Sequence, residues 1–466
     1  MSALDTSPEK DLGSRGPERT SCSVTNAQET PRRSPLGQVF LTVFLDIVGF
    51  SIVFPLFPDM LEHYLTMEGP DSWVGQLVTR LRDWTGGDEW AVTTLFGGVL
   101  GSLYSILQFI FAPIWGGMSD RRGRRSLLLF TIFGVFVSYL LWMFAGSFSI
   151  LVVARLVGGM MAGNISIASA VIADTTSGAD RAKGMGIVGM AIGLGFILGP
   201  AIGGYIVLEG IDHSHEWSPG FAWNPFSRAA AAAAAMAALN FVWVLTGFKE
   251  SLPPEKRGTR GEGRGWNPFS RLGRLSNVPG VVRANLVYFL FLTAFAAMEF
   301  TLTFLAVERL GYTPRDNAML FVFIGLMIAL VQGGIVRRVV PKRGEKSVAL
   351  FGLVLLVPGL IFVGMAHSSF LLYVGCFFLA VGNALCMPCF SAMVSRYCPE
   401  DVQGLAMGTL RSFGSLSRAI GPILGGLLYF AFGSSAPYWA AAAFLVIPIG
   451  LALGLPALTP SAATEN

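Results

Sequence analysis

The stretch from Gly116 to Arg125 reads GGMSDRRGRR and packs five charged residues and turn-forming glycines into ten positions. It is flanked by two long apolar runs, VTTLFGGVLGSLYSILQFIFAPIW at 92–115 and SLLLFTIFGVFVSYLLWMFA at 126–145. Each run reaches the ~20 residues that a helix needs to cross the hydrocarbon core of a bilayer. The stretch therefore reads as a short loop between two membrane-spanning helices.

The composition of the whole chain supports this interpretation. Of its 466 residues, 53% are hydrophobic and 13% are charged, and the mean hydropathy is +0.59. Soluble domains carry about 25% charged residues, and buried strands of a soluble α/β protein would appear as apolar runs of about 4–8 residues. The net charge of +4 is spread over loops and forms no continuous basic face, which argues against a nucleic-acid partner.

Twelve apolar runs predict an all-α membrane protein with twelve transmembrane helices in two pseudo-symmetric six-helix bundles. The domains follow as a disordered tail (1–37), an N-terminal bundle (38–248), a linker (249–282), a C-terminal bundle (283–457) and a short tail (458–466). The runs lie at 38–62, 91–115, 127–146, 149–173, 184–207, 228–248, 284–306, 317–336, 347–366, 369–394, 404–430 and 436–456.

Lysine and arginine decide the orientation, because cytoplasmic loops carry the excess of both. With both termini in the cytoplasm, the outer loops hold five arginines: Arg80, Arg82, Arg228, Arg309 and Arg315. The inner loops hold the basic linker and Arg121, Arg122, Arg124, Arg125, Arg181, Lys183, Arg337, Arg338, Lys342, Arg343 and Lys346. We therefore expect a multi-pass protein of a cell membrane, plasma or bacterial inner, with cytoplasmic termini.

The two halves repeat a glycine-proline frame. In the fifth run it consists of Gly186, Gly195, Gly199, Pro200, Gly203 and Gly204. In the eleventh run the same spacing reads Gly408, Ser417, Gly421, Pro422, Gly425 and Gly426. Glycines four residues apart permit close helix contact, and two related halves around a midplane site are typical of transporters.

Four motifs resemble the major facilitator superfamily. They are the loop Gly116-x-x-x-Asp120-Arg121-x-Gly123-Arg124-Arg125, the pair Arg155-x-x-x-Gly159, the glycine-proline frame of the fifth run, and FLDIVGFSIVFPLFPDML at 44–61. The frame is similar to that of drug/proton antiporters, and the first run to that of tetracycline/proton antiporters. The runs LFGGVLGSLYSILQF and MGTLRSFGSLSRAIGP resemble the animal tetracycline-transporter-like family. The resemblance implies the major facilitator fold and proton-coupled efflux of small amphipathic compounds by alternating access.

Five ionisable residues lie deep in the apolar runs, where a charge costs at least ~2.5–3.5 kcal/mol unless it is paired or hydrated. They are Asp46, Arg155, Glu299, Arg411 and Arg418. A polar central cavity explains the set, and a structural salt bridge remains an alternative for each. Further polar residues that can line the cavity or join helices are Gln108, Asn164, Gln332 and Asn383.

We assign these residues different roles. Glu299, poorly solvated between Met298 and Phe300, is the leading proton carrier, unless it pairs permanently with Arg155. Asp46 stands where the resembled tetracycline antiporters have a functional acid, and the superfamily links the arginine at Arg155 to proton movement. Arg418 faces an anionic substrate or an acidic partner.

The charged loop is interpreted as a conformational latch. Asp120 is expected near the N-terminus of the eleventh helix, whose partial positive charge attracts a carboxylate. Arg411 lies at the cytoplasmic end of that helix. Such a contact would join the halves on the cytoplasmic side, and Gly116 and Gly123 let the chain turn.

Other functions fit less well. The chain has no phosphate-binding loop, no HExxH and no nucleophile-base set, so it is not expected to be an enzyme. Cys386 and Cys389 have CxxC spacing without a second ligand pair, so we expect neither metal nor cofactor. A uniporter or importer of organic anions or lysolipids, and a non-transporting receptor or scaffold, stay open. The expected partners are a small-molecule substrate, protons and the lipid bilayer, with the protein acting as a monomer.

Overall fold

In a computed structural model of the chain, the described residues are 36–206 without 70, 85, 87 and 177, then 220–252, 254, 257, 273 and 275–456. Nothing is described of the side chains of residues 173, 178–183, 185–186 and 400–404. The predicted C-terminal tail, residues 1–35 of the N-terminal tail and most of the linker lie outside this description. All of the described residues belong to one compact unit.

The described residues contain twelve helical spans, which confirms the predicted number and the all-α class. We number them 1 to 12: Leu36–Met67, Glu89–Arg122, Arg124–Met143, Phe148–Ile172, Ile187–Ile206, Ser227–Gly247, Val281–Leu310, Pro314–Arg343, Glu345–Gly364, Ser369–Tyr397, Leu405–Phe432 and Ala436–Leu453. Each overlaps one predicted apolar run. The helix of span 5 begins earlier, at Gly178, and that of span 11 at Glu400.

Four spans depart from one regular α-helix. Span 1 consists of helices Leu36–Ser51 and Phe57–Met67 around a 3-10 turn, Phe54–Leu56. Span 4 consists of Phe148–Met161 and Asn164–Thr175. Span 8 has a π-helical turn, Val331–Val336, between Pro314–Leu330 and Arg337–Arg343. Span 12 is divided into Ala436–Phe444 and Val446–Leu453.

Proline and glycine explain two of these interruptions. Pro55 and Pro58 lack the N–H groups that a continuous helix would need at the break in span 1. In span 4, Gly163 lies so close to span 2 that a Cβ there would be 2.7 Å from Cδ1 of Trp115. The break in span 1 therefore follows from the local sequence and that in span 4 from packing against span 2, and both leave backbone groups within the bundle that need other partners.

A short amphipathic helix, Trp73–Trp84, lies between spans 1 and 2. It buries Val74, Gly75 and Val78 and exposes Trp73, Leu77 and Trp84. The exposed tryptophans suit a position at the lipid–water boundary, where tryptophan is favoured.

Helix packing divides the spans into two groups of six. In the first group, spans 1, 3 and 4 pack against spans 5, 6 and 2, respectively. In the second group, spans 7, 8 and 9 pack against spans 11, 10 and 12, respectively. Span 2 packs along span 11, and span 5 along span 8, which joins the groups. We call the end of the bundle with the turns at Gly123 and Gly344 the basic face, and the opposite end, with Gly311 and Gly433, the distal face.

Glycines bring the groups into backbone contact in the distal half of the bundle. A Cβ on Gly98 would lie 2.5 Å from the carbonyl oxygen of Pro422, and one on Gly426 would lie 3.1 Å from that of Thr94. In span 5, Gly204 faces Ala318 and Pro314 of span 8. Side chains at these positions would hold the groups apart.

The other motif glycines of span 5 have a different neighbour. Gly195, Gly199 and Gly203 lie against span 1, where Ser51 Oγ donates a 3.0 Å hydrogen bond to the carbonyl of Gly195. Pro200 lies within the helix, as does Gly186. Most of the glycine-proline frame thus packs span 5 onto span 1, which is the kind of close helix contact that its spacing predicts.

Replacing Gly98 with valine is expected to destabilise the protein by about 1–3 kcal/mol, because the added atoms overpack the contact with Pro422. The matched control is Gly101→Val in the same helix, where the nearest atom to a new Cβ, on Phe300, is 3.9 Å away. Thermal unfolding of both variants in detergent measures the difference. Equal midpoints for both would contradict the backbone contact.

Candidate functional site

The break in span 4 places Asn164 at the start of a half-helix in the interior of the first group. Asn164 is fully buried, and its Nδ2 donates a 2.7 Å hydrogen bond to Oδ1 of Asp46 in span 1. Thr131 Oγ1, from span 3, donates to Oδ1 of Asn164 at 2.5 Å. Because both ends of the amide are hydrogen-bonded, its N–H side faces the carboxyl group of Asp46. Two predicted site residues and Thr131 thus form one hydrogen-bonded chain.

Span 2 satisfies the carbonyl groups that the break releases. Trp115 Nε1 donates to the carbonyl of Met160 at 2.6 Å, and Gln108 Nε2 donates to that of Ala162 at 3.4 Å. Gln108 was predicted to line a cavity or to join helices, and this contact supports the second role. The irregular backbone is thereby stabilised inside the protein, as a membrane requires.

Arg155 lies in the first helix of span 4, before the break, and is 9% exposed. Its guanidinium carbon is 5.2 Å from the ring centre of Trp142, a cation–π arrangement. Nε and Nη2 are buried without a hydrogen-bond acceptor among the described residues. The structure gives Arg155 no ion pair with Asp46 or Glu299 within the described part of the chain, so the alternative of a permanent Glu299–Arg155 pair finds no support here.

The second group contributes Glu299 and Arg418. Glu299 is half-buried in span 7, and Arg418 of span 11 acts on its charge without an ion pair within 4.0 Å. Arg411, two turns before Arg418, donates to Oγ of Ser169 in span 4 and so connects the groups toward the basic face. The carboxyl group of Glu299 is thus near a positive charge but not bound to it.

The remaining two predicted polar residues differ in environment. Oδ1 of Asn383 in span 10 is buried without a donor in the described residues. Gln332 is exposed and lies in the π-helical turn of span 8. Neither joins the chain of Asp46 and Asn164.

Aromatic rings connect the groups near the middle of the bundle. Phe54 lies 5.8 Å from Phe196 and 6.1 Å from Phe321 of span 8, between ring centres. Phe50 lies 5.2 Å from Tyr104. An apolar surface beside a few ionisable groups is what a site for small amphipathic molecules requires.

The charged loop at the basic face is a compact ion network. Arg124 is 1% exposed and binds Oδ1 of Asp120 at 2.5 Å and Oδ2 of Asp174, at the end of span 4, at 2.8 Å. Glu250 accepts hydrogen bonds from the backbone N–H groups of Arg124 and Arg125. Gly123 has a φ of +99°, and a side chain there would meet Glu250.

The other residues of the charged loop agree only in part with the predicted latch. Arg121 and Arg122 are exposed, and Gly116 packs near Ser166 of span 4. The predicted turn at Gly116 is wrong, because the helix of span 2 continues to Arg122 and the chain turns only at Gly123. The side chains at the start of the helix of span 11 lie outside the description. The predicted contact between Asp120 and that helix therefore stays a prediction.

The second group carries a related pair with its charges exchanged. Gly344, with a φ of +77°, precedes Glu345 at the start of span 9. Glu345 binds Nη1 of Arg396, near the end of span 10, at 2.5 Å. Where the first group has arginine on its third span and aspartate on its fourth, the second has glutamate and arginine.

Sequence reasoning missed three residues that the structure places at these sites, and a fourth buried acid elsewhere in span 1. Asp174 directly follows the fourth predicted run and Glu250 lies in the predicted linker, two places where an acid is common. Thr131 is inconspicuous in an apolar run. Asp59, in the apolar stretch FPLFPDML, has a buried Oδ2 without a donor among the described residues, and its position within a span was a usable signal.

Comparison with protein families identifies one match. The model of the Major Facilitator Superfamily matches residues 39–344 and 340–465. The major facilitator superfamily domain-containing protein 10 of Bos taurus is 34% identical over 462 residues, covering 94% of this chain and 95% of that protein. The class B tetracycline resistance protein of Escherichia coli is 28% identical over 412 residues, covering 85% and 88%.

A solved structure agrees with these matches. The crystal structure of the human organic anion transporter MFSD10 (TETRAN) has a TM-score of 0.72 and 32% sequence identity to this chain. It covers 91% of this chain and 100% of that one. The resemblances inferred from the motifs are thereby confirmed.

Replacing Arg124 with glutamine is expected to destabilise the protein by about 3–5 kcal/mol, because Asp120 and Asp174 would lose their shared buried partner. Thermal unfolding in detergent measures this loss. Arg122→Gln, two residues away and exposed, is the control, with an expected change within about 0.5 kcal/mol. A small effect for Arg124→Gln would show that the network does not stabilise this end of the bundle.

Proposed function

Because this chain belongs to the major facilitator superfamily of membrane transporters, we propose that it exchanges small amphipathic organic compounds for protons. The direction is export, by alternating access of a central site to the two sides. The proposed function keeps the predicted class, a transporter of the drug or organic-anion type.

The observation that carries the proton coupling is the state of two carboxyl groups within the spans. Asp46 and Glu299 are both half-buried, and neither has an ion pair within 4.0 Å in the described residues. A carboxyl group in a span is costly when charged and is retained where it has a function. Without a fixed cation, each can take up a proton and lose it again.

The substrate class rests on the site and on the relatives. The ring cluster of Phe50, Phe54, Phe196 and Phe321 provides apolar surface, and Arg418 provides a positive charge. A relative of known structure is named an organic anion transporter, and others are tetracycline resistance proteins. We therefore expect compounds with an aromatic or alicyclic body and an anionic or zwitterionic group.

Alternating access requires contacts that form on one side and break on the other. At the distal face, Gly98 and Pro422 bring spans 2 and 11 together. Toward the basic face, Arg411 binds Ser169 across the groups. In the proposed cycle these contacts open in turn. When the distal face is open, a contact between Asp120 of span 2 and the start of span 11 closes the basic face.

The orientation and location are part of the proposal. Arg337, Arg338 and Arg343 are exposed at the basic face beside Arg121 and Arg122. The excess of arginine puts this face, and both termini, in the cytoplasm. The protein would act as a monomer in a cell membrane.

Glu299→Gln is expected to abolish the dependence of transport on a pH gradient, because glutamine cannot carry a proton. The measurement is uptake by proteoliposomes of a panel of organic anions and cations at two pH gradients. Glu308→Gln is the control in the same helix, since Glu308 is bound by Tyr429 and Ser434 at the distal end and should keep the dependence. Uptake by the wild type that ignores the gradient would favour a uniporter instead.

Thr131→Val is expected to reduce transport roughly tenfold, about 1.4 kcal/mol, because the amide of Asn164 loses the donor that orients it. With a free amide, the N–H group no longer faces Asp46 reliably. Thr131→Ser retains the hydroxyl group and should restore most of the rate. Initial uptake rates at equal amounts of inserted protein test this, and equal rates for the valine and serine variants would refute the orienting role.

A further inference from the structure

The end of span 8 carries a cluster of positive charges. Its last seven residues, Arg337–Arg343, form a short helix with no buried residue. Four of them are basic and exposed, and the structure gives none of these an ion pair or a side-chain hydrogen bond in the described part of the chain. We call these four residues the span 8 cluster: Arg337, Arg338, Lys342 and Arg343.

The carboxylate that follows the cluster in the sequence does not neutralise it. Glu345 is buried and binds Nη1 of Arg396 at 2.5 Å. The corresponding loop of the first group differs, because it holds three bound carboxylates, those of Asp120, Asp174 and Glu250. Among the described residues, the span 8 cluster is therefore a positive surface without a counterion of its own.

The length of the apolar part of span 8 places the cluster at a membrane surface. Asp316 belongs to the capping box at the distal end of the span, and the 20 residues from 317 to 336 contain no charged side chain. Twenty helical residues rise about 30 Å, which is the thickness of the hydrocarbon core. With Asp316 at one boundary of that core, Arg337 and the residues after it lie among the lipid headgroups at the other.

The short helix turns its charges away from the protein. Val336, Val339 and Val340 are partly buried and pack against the core of the bundle. At about 100° per residue, the side of the helix opposite these valines is basic. It carries Arg337, Arg338 and Lys342.

Apolar surface precedes the cluster on the same span. Leu326, Leu330 and Ile335 are all about half exposed. A ligand that suits both parts has apolar chains and an anionic head, as a phospholipid of net negative charge does. Guanidinium groups bind phosphate through paired, charge-assisted hydrogen bonds, and four or more basic residues directly after a membrane-spanning helix are typical of anionic-lipid recognition.

We propose that the span 8 cluster binds the phosphate-bearing headgroups of anionic phospholipids in the leaflet at the basic face. The lipid supplies the counter-charge that the described residues lack. It also fixes the end of span 8, which is joined to the rest of the span by the π-helical turn Val331–Val336. In that turn, a Cβ on Gly333 or Gly334 would have no neighbour within 4 Å. The site does not depend on the proposed exchange of protons.

The test is the binding of phosphatidylglycerol to the purified full chain in detergent, with retained lipids counted by native mass spectrometry. Phosphatidylcholine, which has no net charge, is the reference lipid, and we expect the wild type to retain phosphatidylglycerol more tightly. Near an anionic lipid surface each basic residue contributes about a factor of five. Arg337→Gln/Arg338→Gln should therefore weaken the binding of phosphatidylglycerol roughly 25-fold.

The matched control is Arg121→Gln/Arg122→Gln, which removes two exposed arginines from the same face and should keep most of the affinity. Lys342→Gln/Arg343→Gln tests the other half of the cluster and should weaken binding like the first pair, which also decides the question if the first pair does not fold.

Three results would overturn the proposal. Equal retention of the two lipids by the wild type would show that the headgroup charge is not recognised. Equal losses in the control and in the cluster variants would show that binding follows the total charge of the face. Displacement of phosphatidylglycerol by inorganic phosphate at constant ionic strength would assign the cluster to a soluble anion.

Discussion

Every polar group in this bundle is subject to one constraint: within the hydrocarbon, a charge or a backbone group must find its partner inside the protein. Where a charge has fixed partners, as Arg124 has in Asp120 and Asp174, the local structure is rigid. Where partners are incomplete, as at Asp46, Glu299 and Arg155, a proton or a substrate can complete them. In the proposed function, the residues with incomplete partners act in transport and those with complete partners stabilise the framework.

The same constraint explains the broken helices. Span 4 is interrupted after Met161, and the carbonyl groups released there are met by Trp115 and Gln108 of span 2. The interruption turns Asn164 into the first residue of a new helix and directs its amide at Asp46. A backbone irregularity, stabilised by neighbouring side chains, thus positions an ionisable group that a regular helix would leave elsewhere.

The fold could be predicted from the sequence to a large extent, because twelve apolar runs are a strong signal of length and polarity. The break in span 4 could not, since it depends on the close approach of Gly163 to Trp115. Asp46, Arg155 and Glu299 could be selected because charge is rare in apolar runs. Their partners could not: Thr131 and Asp174 become relevant only when spans 3 and 4 are packed, and sequence spacing does not reveal which helices touch. For the same reason the neighbour of the span 5 glycines was open until span 1 was seen beside them.

The exchanged charges of the two related ion pairs bear on how the chain assembles. In the first group arginine begins the third span and aspartate ends the fourth, and in the second group Glu345 and Arg396 hold the same places. Helices at corresponding positions of two related repeats have similar apolar faces. One can therefore pack against the partner of the other while they enter the bilayer. With reversed signs, Arg124 would meet Arg396 in one such mispairing, and Asp174 would meet Glu345 in the other. Repulsion between like charges disfavours both mispairings. The reversed charges therefore favour the pairing of each span with its correct partner during insertion.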